Sequence, residues 1–401
     1  MDKTREHKYI FKMLKAVLND NYSLTVEEGL DWDYIYKLCK YHRINNIIGY
    51  LSNEQTKMPE DIYKMFKLDM QKGIVREANQ HFELQQIQKK FEEYGIENVP
   101  LKGSVLKNYY PSPDMRFLTD LDILFKEEKT ELVKQALLEI DYQIYALGGH
   151  HDIYFKRPHL TVEMHRSCYS DNDVLNALFD TVWQRCIKTA NSEYAYEMNI
   201  DDYYLFMVGH LAKHFIHGGI GIRMLLDFMI FEDKLEVRCN RDYIETNLEK
   251  AGLLKFEKEI KILIINCFDD DYQFENDDLI NCIINSGAYG TVQNSLNNQI
   301  LKDGNKTNKI IKNRIKMLHG IVFPSLKNMK SKYTYLNKFP FLLPFAWIHR
   351  GVIKFIFEQS EFVKIIKKPF NKKGMEETDN VLKKVGFDKD ETLLNKKSQE
   401  R

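Results

Sequence analysis

The sequence predicts an α+β protein: a small mixed-sheet core flanked by N-terminal and C-terminal helical units. Three observations carry that reading. Apolar residues recur at helical spacing from residue 6 to about 95. From 96 to about 168 the pattern turns to short apolar runs punctuated by glycine and proline. After Asn172 helical spacing returns and continues to about residue 368. A chain of 401 residues exceeds the roughly 250–300 at which single cores stop growing. The expected units are 1–95, 96–170 and 171–370, followed by a charged, sparsely apolar tail at 371–401 that reads as flexible.

In the first unit, Tyr9, Ile10, Met13, Leu14 and Val17 define one helix. Trp32, Ile35, Leu38 and Cys39 define a second, for which Asp31 is a fitting N-cap. A third runs from about Asp61 to Tyr94, with Gly73 as its weak point, and stops at Gly95. In the second unit, Val99-Pro100-Leu101 is a short strand leading into Lys102-Gly103-Ser104. A helix then begins through Val105, Leu106 and Tyr109 and ends at Pro111 and Pro113. Residues 117–125 look like a buried strand that carries two charges, with a helix over about 129–140 after it. Strands near 142–146, 152–156 and 160–165 complete the unit, the last two joined by the turn Arg157-Pro158-His159.

Composition limits the function classes. The hydrophobic fraction is 44% and the charged fraction 29%, as in ordinary globular proteins rather than collagenous or disordered chains. Six cysteines without a C-x-x-C pair argue against a zinc ribbon and a disulfide framework. The N-terminus has no secretory apolar region, because Lys12 and Lys15 interrupt its first apolar run. Phe339–Ile348, the longest apolar stretch, holds Pro340 and Pro344 and is about half of what a bilayer requires. A cytoplasmic protein with no transmembrane segment is expected; the oligomeric state is not legible.

The chemistry concentrates on three acids. Strand side chains alternate faces, so Asp120 and Asp122 point one way while Leu121 and Ile123 point the other. Two carboxylates one strand step apart repel each other unless a cation neutralises them, and Mg²⁺ or Mn²⁺ suits hard oxygen ligands. The same parity places Thr161, Glu163 and His165 on one face of a later strand. Should that strand lie beside the first, three carboxylates converge and can hold two ions. The bland alternative is a solvated edge strand. Upstream, Lys102-Gly103-Ser104 opens a helix whose free N–H groups can hold phosphate, although such a turn is often only a turn.

Together, Val-Pro-Leu-Lys-Gly-Ser-Val-Leu at 99–106, Arg116-x-x-x-Asp-Leu-Asp-Ile-Leu and Val-Glu-Met-His at 162–165 resemble the uncharacterised nucleotidyltransferase family of the polymerase beta-like superfamily. The resemblance extends to Leu211-Ala-Lys-His214 and Leu225-Leu-Asp227. It implies a nucleotidyltransferase core that moves an NMP from an NTP to an acceptor hydroxyl and releases pyrophosphate, the acceptor being unidentified. Gly103 and Ser104 would hold the β and γ phosphates, Asp120 and Asp122 the metal, and Glu163 would help ionise the acceptor hydroxyl through the metal. Lys102 and Arg116 join as phosphate contacts on charge and position, against the reading that both are solvated. The alternatives to this enzyme are a catalytically degenerate nucleotide-binding or protein-interaction module and a protein-nucleotidylating toxin or antitoxin component.

Further along, His210, Lys213, His214 and His217 share one helical side. A zinc site, a set of structural histidines and a cationic wall facing nucleotide or acceptor all fit; the resemblance favours the wall, which Arg223 and Asp227 would extend. His165, on the face of Glu163, belongs with the nucleotide-facing set. Between 301 and 373 there are 17 Lys or Arg against Asp303, Glu358 and Glu361, an excess that can attract an anionic partner such as phosphorylated substrate, polymer, nucleic acid or membrane surface. A solvated basic face is the alternative.

Overall fold

The computed structural model describes residues 3–19, 24–148, 151–158, 160–169, 172–235, 238–274, 277–291, 294–295, 298, 319, 323–330, 333–357 and 372–387. Strands β1 (Asn98–Pro100), β2 (Leu121–Phe125), β3 (Gln143–Ala146), β4 (His151–Lys156) and β5 (Leu160–His165) form one mixed sheet in the order β1-β2-β5-β4-β3. The β2–β5 pair is parallel and its neighbours are antiparallel. Each strand lies close to its expected place except β2, which starts four residues later than the apolar pattern suggests. The carbonyls before it are taken by side chains: Phe117 O accepts from Arg116 and Arg223, and Leu118 O from Gln80. Asp120 therefore precedes the strand and does not lie within it.

Strand parity sorts two cores. Leu121, Ile123 and Phe125 of β2, with Val162 and Met164 of β5, pack under Ile87 and Phe91 and against Val133, Ala136 and Leu137. Asp122, Leu124, Glu163 and His165 lie on the opposite face, where Leu124 joins the larger helical core.

The helices before the sheet are α1 (Thr4–Leu18), α2 (Trp32–His42), α3 (Asn45–Ile48), α4 (Asn53–Thr56) and α5 (Glu60–Tyr94). Asp31 caps α2 by accepting from Tyr34 N. Helix α5 passes Gly73 without a break, and α3 lies so close there that an added Cβ would sit 3.3 Å from Asn46 Cβ. It ends at Gly95, whose φ of 63° suits the left-handed cap. Within and after the sheet come α6 (Gly103–Leu106), α7 (Thr130–Glu139), α8 (Asp173–Phe179), α9 (Ile200–His217), α10 (Ile222–Leu235), α11 (Arg241–Lys250), α12 (Leu254–Phe268) and α13 (Asp278–Ser286). Helix α9 is buried nearly all round, as a central helix must be. Between α8 and α9 a two-stranded ribbon, β6 (Ile187–Lys188) and β7 (Tyr196–Glu197), interrupts what helical periodicity alone suggests.

The N-terminal and C-terminal helices share a core: Tyr9, Ile10 and Phe11 belong to the same cluster as Phe256, Phe274 and Ile283. Phe11 meets Phe268 and Phe274 edge-on. The tail also departs from expectation over 372–387. Helix Lys372–Lys384 buries Met375, Val381 and Leu382, and Val385 and Phe387 follow them into the core. Phe387 stacks on Phe256 at 5.1 Å, an apolar stripe that overcomes the charged composition around it. Within the basic stretch, Met329, Tyr333, Leu336 and Ala346 form a small cluster; most of its charge lies outside the described residues. Among the described residues no helix is long and apolar enough to cross a membrane.

Candidate active site

The acidic pair is positioned by β2 and its parallel neighbour. Asp122 and Glu163 are register partners, so their side chains leave the sheet on the same face. Asp122 is buried, and its Oδ1 accepts from Lys102 Nζ at 2.6 Å and His165 Nε2 at 2.7 Å. Burial works against ionisation, yet the charges of Lys102 and His165 hold the Asp122 carboxyl below its usual range. Glu163 is likewise lowered, chiefly through His165. For Asp120 the charges of Lys102 and Arg223 relieve too little. Burial first, then the charges of Asp122 and Glu163, push it up to about 6.

The turn before α6 is strained. Lys102 sits at φ 52°, ψ −126°, a region that side-chain-bearing residues avoid at a cost of roughly 1–3 kcal/mol. The surroundings over-determine it. Leu101 N donates to Asp122 O at 2.9 Å, and the Lys102 carbonyl accepts from Val105 N, Leu106 N and the Tyr203 hydroxyl. Glycine follows: a Cβ on Gly103 would overlap Leu118 Cδ2 and lie 3.1 Å from Arg116 Cζ, so both side chains would have to shift. Ser104 is buried, and its Oγ has no hydrogen-bond partner among the described residues.

Two adjacent cavities meet here. The first, about 270 Å³, is lined by Lys102, Gly103, Arg116, Asp120, Asp122, Glu163, His210, His214, Arg223 and Asp227, with Leu106, Met207, Met224, Phe228 and Tyr289 among its apolar walls. The second, about 230 Å³, shares Lys102, Glu163, His210 and His214 and adds His151, His165, Cys168 and Lys213. Ten of the thirteen sequence-selected residues thus meet on one cavity. His165 and Lys213 face the second, and Ser104 lines neither.

Several of these residues are engaged in ways the sequence does not suggest. Arg116 is clamped by Asp227, with Nε 2.7 Å from Oδ1 and Nη2 2.6 Å from Oδ2, and Tyr110 also donates to Oδ1. Despite its burial, that carboxylate raises the Arg116 pKa, so the pair acts as a rigid cavity wall rather than two free charges. Arg223 donates to Phe117 O at 3.2 Å, lies over the Tyr289 ring, and keeps a buried Nε without a partner among the described residues. The cationic histidine wall is corrected. Burial and the charge of Lys102 drive the His210 pKa well down and the His214 pKa to about 4, so both imidazoles are neutral at pH 7.

His151 and Tyr289 are among the lining residues that sequence reasoning did not select. His151 pairs with His165 across the β4–β5 hairpin, a partnership that counting outward from Arg157-Pro158 would have found. Tyr289 arrives from the turn after α13 and carries no local signal.

The sequence matches the model of a family described as uncharacterised nucleotidyltransferase over residues 28–269. No curated protein matches. Among solved structures, the solution structure of the antibiotic-resistance factor ANT(2'')-Ia aligns with 47% of this chain and 96% of its own, at 8% identity and a TM-score of 0.34.

Proposed function

The chain belongs to the uncharacterised nucleotidyltransferase family, and on that premise we propose that it transfers a nucleoside monophosphate from an NTP to an acceptor hydroxyl, with metal assistance. The observation that carries the reading is the in-register pairing of Asp122 and Glu163 beside Asp120, on a cavity entered by the Lys102-Gly103 turn. The acceptor oxygen bonds to the α-phosphorus, the α–β anhydride bond breaks, and pyrophosphate leaves with the electron pair.

The donor set fits a hard divalent cation. Asp120 stands buried among two other carboxylates that Lys102 and His165 only partly neutralise. Asp120, Asp122 and Glu163 would hold Mg²⁺ or Mn²⁺, which neutralises triphosphate charge and polarises the reacting oxygens when bound. We assign Lys102 and Arg223 to the phosphates, since each puts a cationic side chain on the cavity wall. Gly103 lets phosphate approach the backbone closely, and the Arg116–Asp227 clamp keeps that wall rigid. Glu163, ionised at neutral pH and facing both cavities, takes the proton of the acceptor hydroxyl.

One observation favours a second reading: Lys102 and His165 already satisfy Asp122, as they would in a nucleotide-binding module without chemistry. Titration of the chain and its Asp120→Ala variant with each NTP, with Mg²⁺ or Mn²⁺, tests the proposal. Metal-dependent binding weakened by the substitution supports it. If neither protein binds any nucleotide, both readings fail; binding without pyrophosphate release in any acceptor pool leaves only the second.

A further inference from the structure

The hairpin arithmetic that brings His151 opposite His165 also places both imidazoles against Glu163. His151 Nε2 lies 3.7 Å and His165 Nε2 3.5 Å from the same Glu163 oxygen. The two rings are 5.0 Å apart at their centroids. Among the described residues, these three form the one group of His, Cys, Asp or Glu donors whose ligand atoms all lie within 4.8 Å of one another. Neither separation is a short hydrogen bond. Both approach the roughly 3.4 Å edge of a tetrahedron around an ion bound at about 2.0–2.1 Å.

We infer that His151, Glu163 and His165 form a nitrogen-bearing cation site, sharing Glu163 with the oxygen site of Asp120 and Asp122, that takes a divalent transition ion such as Mn²⁺, Co²⁺ or Zn²⁺ in preference to Mg²⁺. Co²⁺ and Zn²⁺ suit two imidazoles and one carboxylate, and Mn²⁺ accepts them, whereas Mg²⁺ favours oxygen and retains its water. His151, Glu163 and His165 all line the second cavity, about 230 Å³, which leaves room for water or a ligand oxygen in the remaining coordination positions. The three donors are half-buried rather than sealed, so the ion has an entry route. β-Sheet register fixes the geometry without any loop: His151 pairs with His165, and Ile153 with Glu163, on one rigid hairpin. Binding the ion displaces the proton that His165 Nε2 shares with Asp122 Oδ1, which links the two cation sites through a single imidazole. The inference does not depend on nucleotidyl transfer.

The test uses the full chain freed of metal. Mn²⁺ is titrated in while its free electron paramagnetic resonance signal is followed, and the bound ion is examined for nitrogen-14 modulation. The wild type is expected to bind Mn²⁺ with nitrogen coupling from two imidazoles and to keep it against excess Mg²⁺. His151→Gln, at a half-exposed position whose loss need not disturb folding, is expected to lose one coupling and to weaken binding at least about ten-fold. His165→Gln should lose the other coupling, with a circular dichroism melt confirming that it folds. Asp120→Asn should leave both nitrogen couplings in place. Bound Mn²⁺ without nitrogen coupling, displacement by Mg²⁺, or wild-type affinity in His151→Gln overturns the assignment. Loss of NTP binding with retained nitrogen coupling would remove the transferase reading and leave this one standing.

Discussion

Replacing Asp120 with Asn should stabilise the metal-free protein while disabling its site, an opposition that arises from one buried charge. The Asp120 carboxyl is raised from its ordinary 3.8 to about 6 by burial and by Asp122 and Glu163. The folded state therefore holds this proton more tightly than the unfolded chain. Its stabilising contribution is complete below about pH 4 and disappears as pH climbs through 6. At 1.36 kcal/mol per pKa unit the ceiling is about 3 kcal/mol, and partial solvent access brings the expected effect to about 1–3 kcal/mol. Asparagine keeps the shape and never ionises. In EDTA, urea unfolding of Asp120→Asn and wild type should coincide near pH 4 and separate progressively to pH 8, the variant being the more stable. Added Mn²⁺ should stabilise the wild type and close the gap. Equal stabilities at pH 4 and 8, or a less stable variant at pH 8, would refute the carboxylate repulsion on which the cation argument rests.

Other substitutions probe the remaining parts. Arg116→Met or Asp227→Asn alone should lower unfolding free energy by about 3–5 kcal/mol, because each strands a buried charge; the double variant should lose less than the sum. Gly103→Ala forces Leu118 and Arg116 aside, so denaturant melts should show a loss of about 1–3 kcal/mol and NTP titrations weaker binding. Lys102→Met leaves Asp122 to His165 alone; with Lys102 partly exposed, the expected cost is about 2 kcal/mol, together with a several-fold loss of nucleotide affinity. Phe387→Ala should cost about 3–5 kcal/mol in a urea melt, whereas a flexible tail would show no change.

Much of the sheet was legible because strand parity is a local property. Alternation in Leu160–His165 placed Glu163 and His165 on one face, and the burial of Leu160, Val162 and Met164 follows the same alternation. The parallel pairing of Asp122 with Glu163 was only a conditional inference, since nothing in either strand names its neighbour. The start of β2 is not legible in the sequence because Phe117 and Leu118 give their carbonyls to Arg223 and Gln80, partners far away in sequence. The sequence offers only the ordinary basicity of His210 and His214; tertiary burial beside Lys102 lowers it further. Met375, Val381, Leu382 and Val385 had helical spacing, yet the charged residues between them masked it.

The claim that this site moves a nucleoside monophosphate is tested most directly by following two labels on the same NTP. The chain is incubated with Mg²⁺ or Mn²⁺ and pooled small-molecule, protein and RNA acceptors, using NTP labelled at the α or the γ phosphate. The account predicts that the α label moves to an acceptor while the γ label appears in pyrophosphate, and that Asp122→Asn abolishes both. Transfer of the γ label to an acceptor, or α transfer that survives Asp122→Asn, would contradict it.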